Sequence, residues 1–174
     1  GVGVFGVSGW LGHSCLSNTN FSWRDSHDEW APILYTAARD IRMGEELTTP
    51  HGTNLDDTLS TRQRKLWQGF RIRCHCEVCS LKGQALKESD ARRRRMAAIH
   101  IQLENCVRMG LSGQNQAALK LTLELLSLVV RESHSDPWYI AATCWDGLPA
   151  ACLAGNMEMA RKMAYNHVAA LVRV

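Results

Sequence analysis

Three cysteines within six residues, Cys74-His75-Cys76-Glu77-Val78-Cys79, restrict this chain more than any other feature. No apolar core calls for thiols at that density, whereas tetrahedral zinc takes thiolates at this spacing. A structural zinc site needs four donors, so the C-x-C-x-x-C run is one short and must draw another from elsewhere in the chain. Cys15, in Leu11-Gly12-His13-Ser14-Cys15, is the best candidate, because Cys106, Cys144 and Cys152 sit in apolar helical segments where cysteine behaves as a small hydrophobe. His75 competes for a place, but in an extended segment it points away from the side shared by Cys74 and Cys76. The alternative is a set of free or disulfide-forming cysteines. Four thiolates would close the site, making the metal structural and leaving no position for water or substrate.

The 174 residues can bury one good core, or one core with a smaller helical appendage. Hydrophobic content of 45% and charged content of 21% are those of an ordinary globular protein, with no apolar run long enough to span a bilayer and no signal-peptide pattern. An intracellular setting, cytoplasmic or nuclear, follows from seven cysteines, an odd number clustered for metal. A net charge of +3 is too small to argue for nucleic acid, and Arg92-Arg93-Arg94-Arg95 reads as the solvated start of a helix.

The grammar changes near residue 82. Before it, Thr19–Trp23 and Pro32–Ala38 carry strand composition around a polar loop at Arg24–Glu29, and Glu46–Thr49 forms a short third strand after a reversal at Gly44. Leu59 to Phe70 has helical spacing, with Leu59, Leu66, Trp67 and Phe70 sharing a face. After it the pattern is helical throughout: a helix capped by Ser89 or Asp90 and ending near Met109-Gly110, a second over Asn115–Glu132, a third from Pro137 interrupted by Gly147 and Pro149, and a last from about Asn156 to Val172. Short turns such as Ala154-Gly155-Asn156 imply stacked helical hairpins.

Taken together, the segments Gly12-His13-Ser14-Cys15-Leu16-Ser17-Asn18, Thr19–Trp23, Ala37–Thr48 and the cysteine run resemble the SET-domain superfamily of protein lysine methyltransferases, closest to its MYND-containing type. Similarity is continuous over about residues 3–82, and the helical remainder resembles the tetratricopeptide-like tail of that type. The resemblance implies that Cys15, Cys74, Cys76 and Cys79 bind one zinc. It also implies that the His13 segment threads beneath a later loop beside the S-adenosylmethionine and substrate-lysine sites. The fold class is therefore α+β: residues 1–82 form a partial SET-like β fold with a post-SET zinc site, and residues 83–174 an all-α helical-hairpin region.

Departures fall on the positions that methyl transfer needs. Gly12 replaces the asparagine that contacts the cofactor in the family, Ser17 replaces a proline, and His51 stands where the catalytic tyrosine falls. The family's N-terminal half, with its Gly-x-Gly motif and early strands, has at most Gly1–Phe5 as a counterpart, so the chain reads as diverged and N-terminally shortened. These departures imply a scaffold that has lost S-adenosylmethionine-dependent methylation. It would serve as a binding module for a protein or small-molecule ligand, or as a repurposed catalyst of a cyclisation or rearrangement that works by positioning and hydrogen bonding. His51 and Tyr35 are then the candidate catalytic residues and Trp23 a candidate wall, with His13 lining the cofactor site only where S-adenosylmethionine is retained. The alternative is a lysine methyltransferase that requires the missing half or a second chain. Exposed strand edges imply a homo-oligomer or another covering partner, and neither a membrane nor nucleic acid is expected as a partner.

Overall fold

The computed structural model describes residues 8–23, 33–108 and 115–172. Gly1–Phe5, the Arg24–Glu29 loop and the Met109-Gly110 terminus lie outside the described residues, as does the side chain of Trp23. Architecture is mixed α+β, with four short strands and five helices among the described residues. The chain divides into two compact units, residues 1–54 with 62–80, and residues 55–61 with 81–174.

In the first unit, β2 (Thr19–Trp23) and β3 (Ile33–Ala37) pair antiparallel, Phe21 opposite Tyr35, as their β-branched and aromatic content predicts. The expected third strand contracts to β4 (Thr48–Thr49), which pairs in parallel with β1 (Gly12–His13). A two-residue strand has no periodicity to read, so β1 was not foreseen. Gly44, at φ +83, makes the reversal ahead of β4, and the Glu45 N–H closes it on the Arg42 carbonyl at 3.0 Å.

Asn18 holds this crossing together. Only 2% exposed, its amide donates to Glu45 Oε1 (3.0 Å) and the Glu46 carbonyl (2.8 Å), and its Oδ1 accepts from the Thr48 N–H (2.8 Å). A buried amide with its donors and acceptor engaged costs little to bury and fixes the chain segments it bridges.

Helix α1 (Leu59–Phe70) matches its expected bounds, but the face it buries differs. Trp67 and Phe70 are 44% and 52% exposed, and the buried positions are Leu66 and Arg62, one turn apart. The helix turns that side toward Cys15, Cys74 and Val78, which form the small core of this unit. Arg71 ends it in the left-handed region at φ 58, its N–H donating to the Trp67 carbonyl at 3.2 Å.

The second unit contains α2 (Gly83–Arg108), α3 (Asn115–Glu132), α4 (Pro137–Leu153) and α5 (Met157–Val172), each helix packing against the next. Its core joins Met96, Ile99, Leu125 and Val129 on one side and Leu119, Cys144, Ala151 and Met163 on the other. Two expectations are corrected here. Helix α2 begins at Gly83, because Ser89 and Asp90 are not caps of their own helix. Ser89 donates to Glu132 at 2.7 Å, and Asp90 accepts the Leu59 N–H at 2.9 Å, capping α1 instead. Helix α4, capped by Asp136 through the Trp138 N–H, runs unbroken past Gly147 and Pro149. A Cβ on Gly147 would lie 2.2 Å from Thr122 Cγ2, so this glycine lets α3 and α4 approach each other closely without interrupting the helix.

The arginine run is also not a solvated start. Arg93, 1% exposed, and Arg92 both pair with buried Glu132 at 2.8 and 2.5 Å, and Arg93 also donates to the Leu55 carbonyl. Arg95 forks onto Glu124 at 2.6 and 2.7 Å, leaving Arg94 as the exposed member. No described helix is long and apolar enough to cross a membrane.

Candidate metal centre and the histidines beside it

Four sulfur atoms converge in the first unit. Cys15 leaves the end of β1, Cys74 and Cys76 follow α1 in an extended segment, and Cys79 closes a single 3-10 turn (Glu77–Cys79). That turn folds the chain back on itself: the Cys79 and Ser80 amides donate to the Cys76 carbonyl at 3.0 and 2.9 Å. Gln63 fixes the Cys74 carbonyl at 2.7 Å and Ser80 Oγ the His75 carbonyl at 2.9 Å, which orients the intervening side chains. The four Sγ atoms lie within 4.8 Å of one another, with Cys15 at 3.5 Å from Cys79 and 4.0 Å from Cys74. A tetrahedron of thiolates around zinc has S···S edges of about 3.8 Å, given Zn–S bonds of about 2.3 Å. The donor set therefore suits a closed tetrahedral site. His75 is exposed and outside the group.

The electrostatics point the same way. The Cys15 S–H bonded to Cys74 drives the Cys74 thiol far below the ordinary thiol range and Cys15 far above it. Sulfurs this close compete for protons through their S–H···S contacts, whereas a divalent cation allows all four to be thiolates together. Arg62 supplies fixed positive charge. Only 1% exposed, it donates to the Val78 carbonyl at 3.4 Å; burial lowers its basicity, but contact with the neighbouring sulfurs, the Cys79 hydrogen bond foremost, raises it overall. A buried guanidinium is costly without an anionic partner, and the sulfur cluster is one.

The parallel β1–β4 pair sets His13 beside residue 51. The backbone N–H of His51 donates to His13 Nδ1 at 3.0 Å, which leaves the ring proton on Nε2, 3.4 Å from Cys15 Sγ. The two imidazoles stack at 5.5 Å, and Phe70 covers His51 at 5.4 Å. Burial, with His13 alongside, holds the His51 imidazole below the usual histidine range, so it is neutral at physiological pH. Tyr35 is not drawn into this group. Its ring faces Phe21 at 6.2 Å on the β2–β3 hairpin, and among the described residues no ring contact joins it to His51. At Gly12, a Cβ would meet the Glu46 carboxylate at 2.1 Å, so that carboxylate fills the space a side chain at residue 12 would need.

Residues that sequence reasoning passed over are Asn18, Glu45, Arg62 in its electrostatic role, and Phe70 as the wall of His51. Arg39 at 2.5 Å, then Asn18, holds the Glu45 carboxyl down at about 2. Glu45 has its partners nearby in Arg39 and Arg42, but those of Asn18 are distant, Thr48 being thirty residues away.

Comparison with known proteins agrees with this geometry. The histone-lysine N-methyltransferase set5 of Schizosaccharomyces pombe is 31% identical over 96 residues, 55% of this chain and 29% of that protein. SET5 of Candida albicans is 36% identical over 90 residues, 52% of this chain and 18% of its own length. SET5 of Meyerozyma guilliermondii is 38% identical over 76 residues, 44% and 15% respectively. The chain thus spans less than a third of the length of the curated relatives it matches. No family model matches, and no solved structure matches. Partial matches of this kind to several histone-lysine methyltransferases, together with a cysteine cluster consistent with a zinc site, support membership of the SET-domain superfamily.

Proposed function

We propose that this chain is a zinc-stabilised portion of a SET-type protein-lysine N-methyltransferase that uses S-adenosylmethionine. It acts together with the remainder of a SET domain, carried on the same polypeptide or on a second one. The observation that carries this reading is the parallel β1–β4 pairing, which bonds His13 to the backbone of His51 and sets His13 against Cys15 of the four-sulfur cluster. The relatives' names support the same activity. Zinc bound by Cys15, Cys74, Cys76 and Cys79 has no open position and holds the crossing in place. The remainder of the domain would also cover the edges of the β2–β3 hairpin. An intracellular location goes with this function.

S-adenosylmethionine supplies the methyl group when bound. The fit at residue 12 is incomplete, since Gly12 offers no side-chain amide and the Glu46 carboxylate stands in its space. The neutral His51 imidazole, walled by His13 and Phe70, has a nitrogen able to accept a hydrogen bond or a proton from an approaching lysine amine.

The same two positions favour a second reading, in which methylation is lost and the scaffold binds a protein, or positions a non-protein ligand for a cyclisation or rearrangement. Calorimetric titration with S-adenosylmethionine, paired with transfer of labelled methyl to histone substrates, separates the two. Micromolar binding and transfer that falls in His51→Ala are the expected results. Absence of heat and of transfer, with the rest of a SET domain also present, overturns the methyltransferase in favour of the second reading.

A further inference from the structure

We propose that the end of α1 and the segment after it form a docking face for the phosphodiester backbone of a nucleic acid. Residues 58–76 hold five basic residues, Arg62, Arg64, Lys65, Arg71 and Arg73, and no acidic one. This local excess is larger than the +3 of the whole chain, so acidic residues outnumber basic ones elsewhere. The low overall charge therefore conceals a concentrated positive segment.

The fold sorts these cations by task. Arg62 is buried beside the sulfur cluster, while Arg64, Arg71 and Arg73 are exposed. Arg64 and Trp67 are three residues apart on α1, the spacing that places residues on one side of a helix. Among the described residues none of the three exposed guanidiniums, Arg64, Arg71 and Arg73, has a carboxylate partner, in contrast to Arg39, Arg92, Arg93 and Arg95, each of which has one. Arg71 and Arg73 instead lie over the indole of Trp67, 5.5 and 5.2 Å from its centroid. A guanidinium held by its face keeps its in-plane N–H groups free, and those forks match the oxygens of a phosphate. Arg71 also adopts the left-handed conformation where glycine is favoured, a strain of the sort that persists at functional positions.

With Arg71 and Arg73 over the indole and His51 against Phe70, Trp67 and Phe70 are still 44% and 52% exposed, and this remaining aromatic surface decides between polyanions. A carboxylate-rich peptide satisfies the guanidiniums alone, whereas a nucleic acid alternates phosphates with flat bases that can use the aromatic surface beside them. Phe70 is shared with the His51 site, whereas Arg64, Arg71 and Arg73 are not part of it.

Fluorescence anisotropy of the full chain with a labelled oligonucleotide, single-stranded and duplex, over a salt series tests the assignment. With three or four phosphates neutralised, the logarithm of affinity should fall against the logarithm of salt with a slope of about −2 to −3 for the single strand and about −3 to −4 for the duplex. Arg64→Gln, Arg71→Gln and Arg73→Gln should each reduce that slope by roughly one, while Arg94→Gln, exposed on α2, leaves it unchanged. Circular dichroism and metal content report that each variant is folded. A salt-independent affinity, slopes indifferent to the three substitutions in folded protein, or tighter binding of polyglutamate than of nucleic acid would overturn the proposal, the last in favour of an acidic protein partner.

Discussion

Arg62 is buried to 1% exposure, yet the interior it enters is itself charged. Four thiolates around a divalent cation carry a net charge of −2, and one guanidinium against them offsets half of it. Arg62→Met keeps the hydrophobic stem and removes the charge, so the metal should be held roughly 10–100-fold less tightly, as is typical when a group supporting metal ligands is lost. Arg62→Lys restores charge without the planar fork and should recover part of the loss. Chelator competition on the zinc form, with the charge-transfer band of the cobalt form as a structural check, measures both; equal affinities in all three proteins would show that the guanidinium is not the counter-charge. At this scale the sequence was informative about ligand number and poor on supporting contacts. Tetrahedral geometry demanded a fourth donor and Cys15 was the thiol outside the helical segments, whereas Arg62 and Asn18 act through partners 16 and 30 residues away that no local pattern encodes.

Among the elements, helices were readable wherever a long apolar period ran between clear stops. Expected and observed bounds coincide for α1 and α3, and differ by one residue at the start of α5. The β1–β4 pair escaped because two residues carry no period, and Gly147 misled because a glycine that breaks a helix and one that admits a neighbouring helix look alike in sequence, its partner Thr122 lying on α3. The arginine run misled for a related reason: its carboxylate partners lie on α3. Burial separates these ion pairs by worth. Glu132→Gln leaves Arg93 as a buried charge short of its partner and should cost about 3–5 kcal/mol, whereas Glu124→Gln breaks a pair whose two members are each about 40% exposed and should cost under about 1 kcal/mol. Urea denaturation of the two variants compares them directly, and similar losses would mean that the Arg93–Glu132 pair is not the fastening between α2 and α3.

The two units draw on different sources of stability, which makes their failures separable. Among the described residues of 1–54 with 62–80, few apolar side chains are buried besides the cysteine cluster, Leu66 and Val78, and so thin a core depends on a staple such as metal. The helical unit has two continuous apolar clusters and no comparable need. A chelator at fixed pH should therefore speed amide exchange over residues 12–23 and 62–80 and leave α3 to α5 protected. A pH shift should act elsewhere. Hydrogen bonding to Asp56 raises the pKa of His100 above the usual histidine value, so the contact contributes fully below about pH 6.5 and is lost as pH rises through the raised value. Raising pH from about 6 to 8 should thus loosen residues 55–61, which Asp56 anchors, without mimicking chelation in the first unit. Amide exchange resolved by segment distinguishes the outcomes: a chelator that opened both units together, or residues 55–61 indifferent to pH, would show that metal and His100 do not act on separate parts of the molecule.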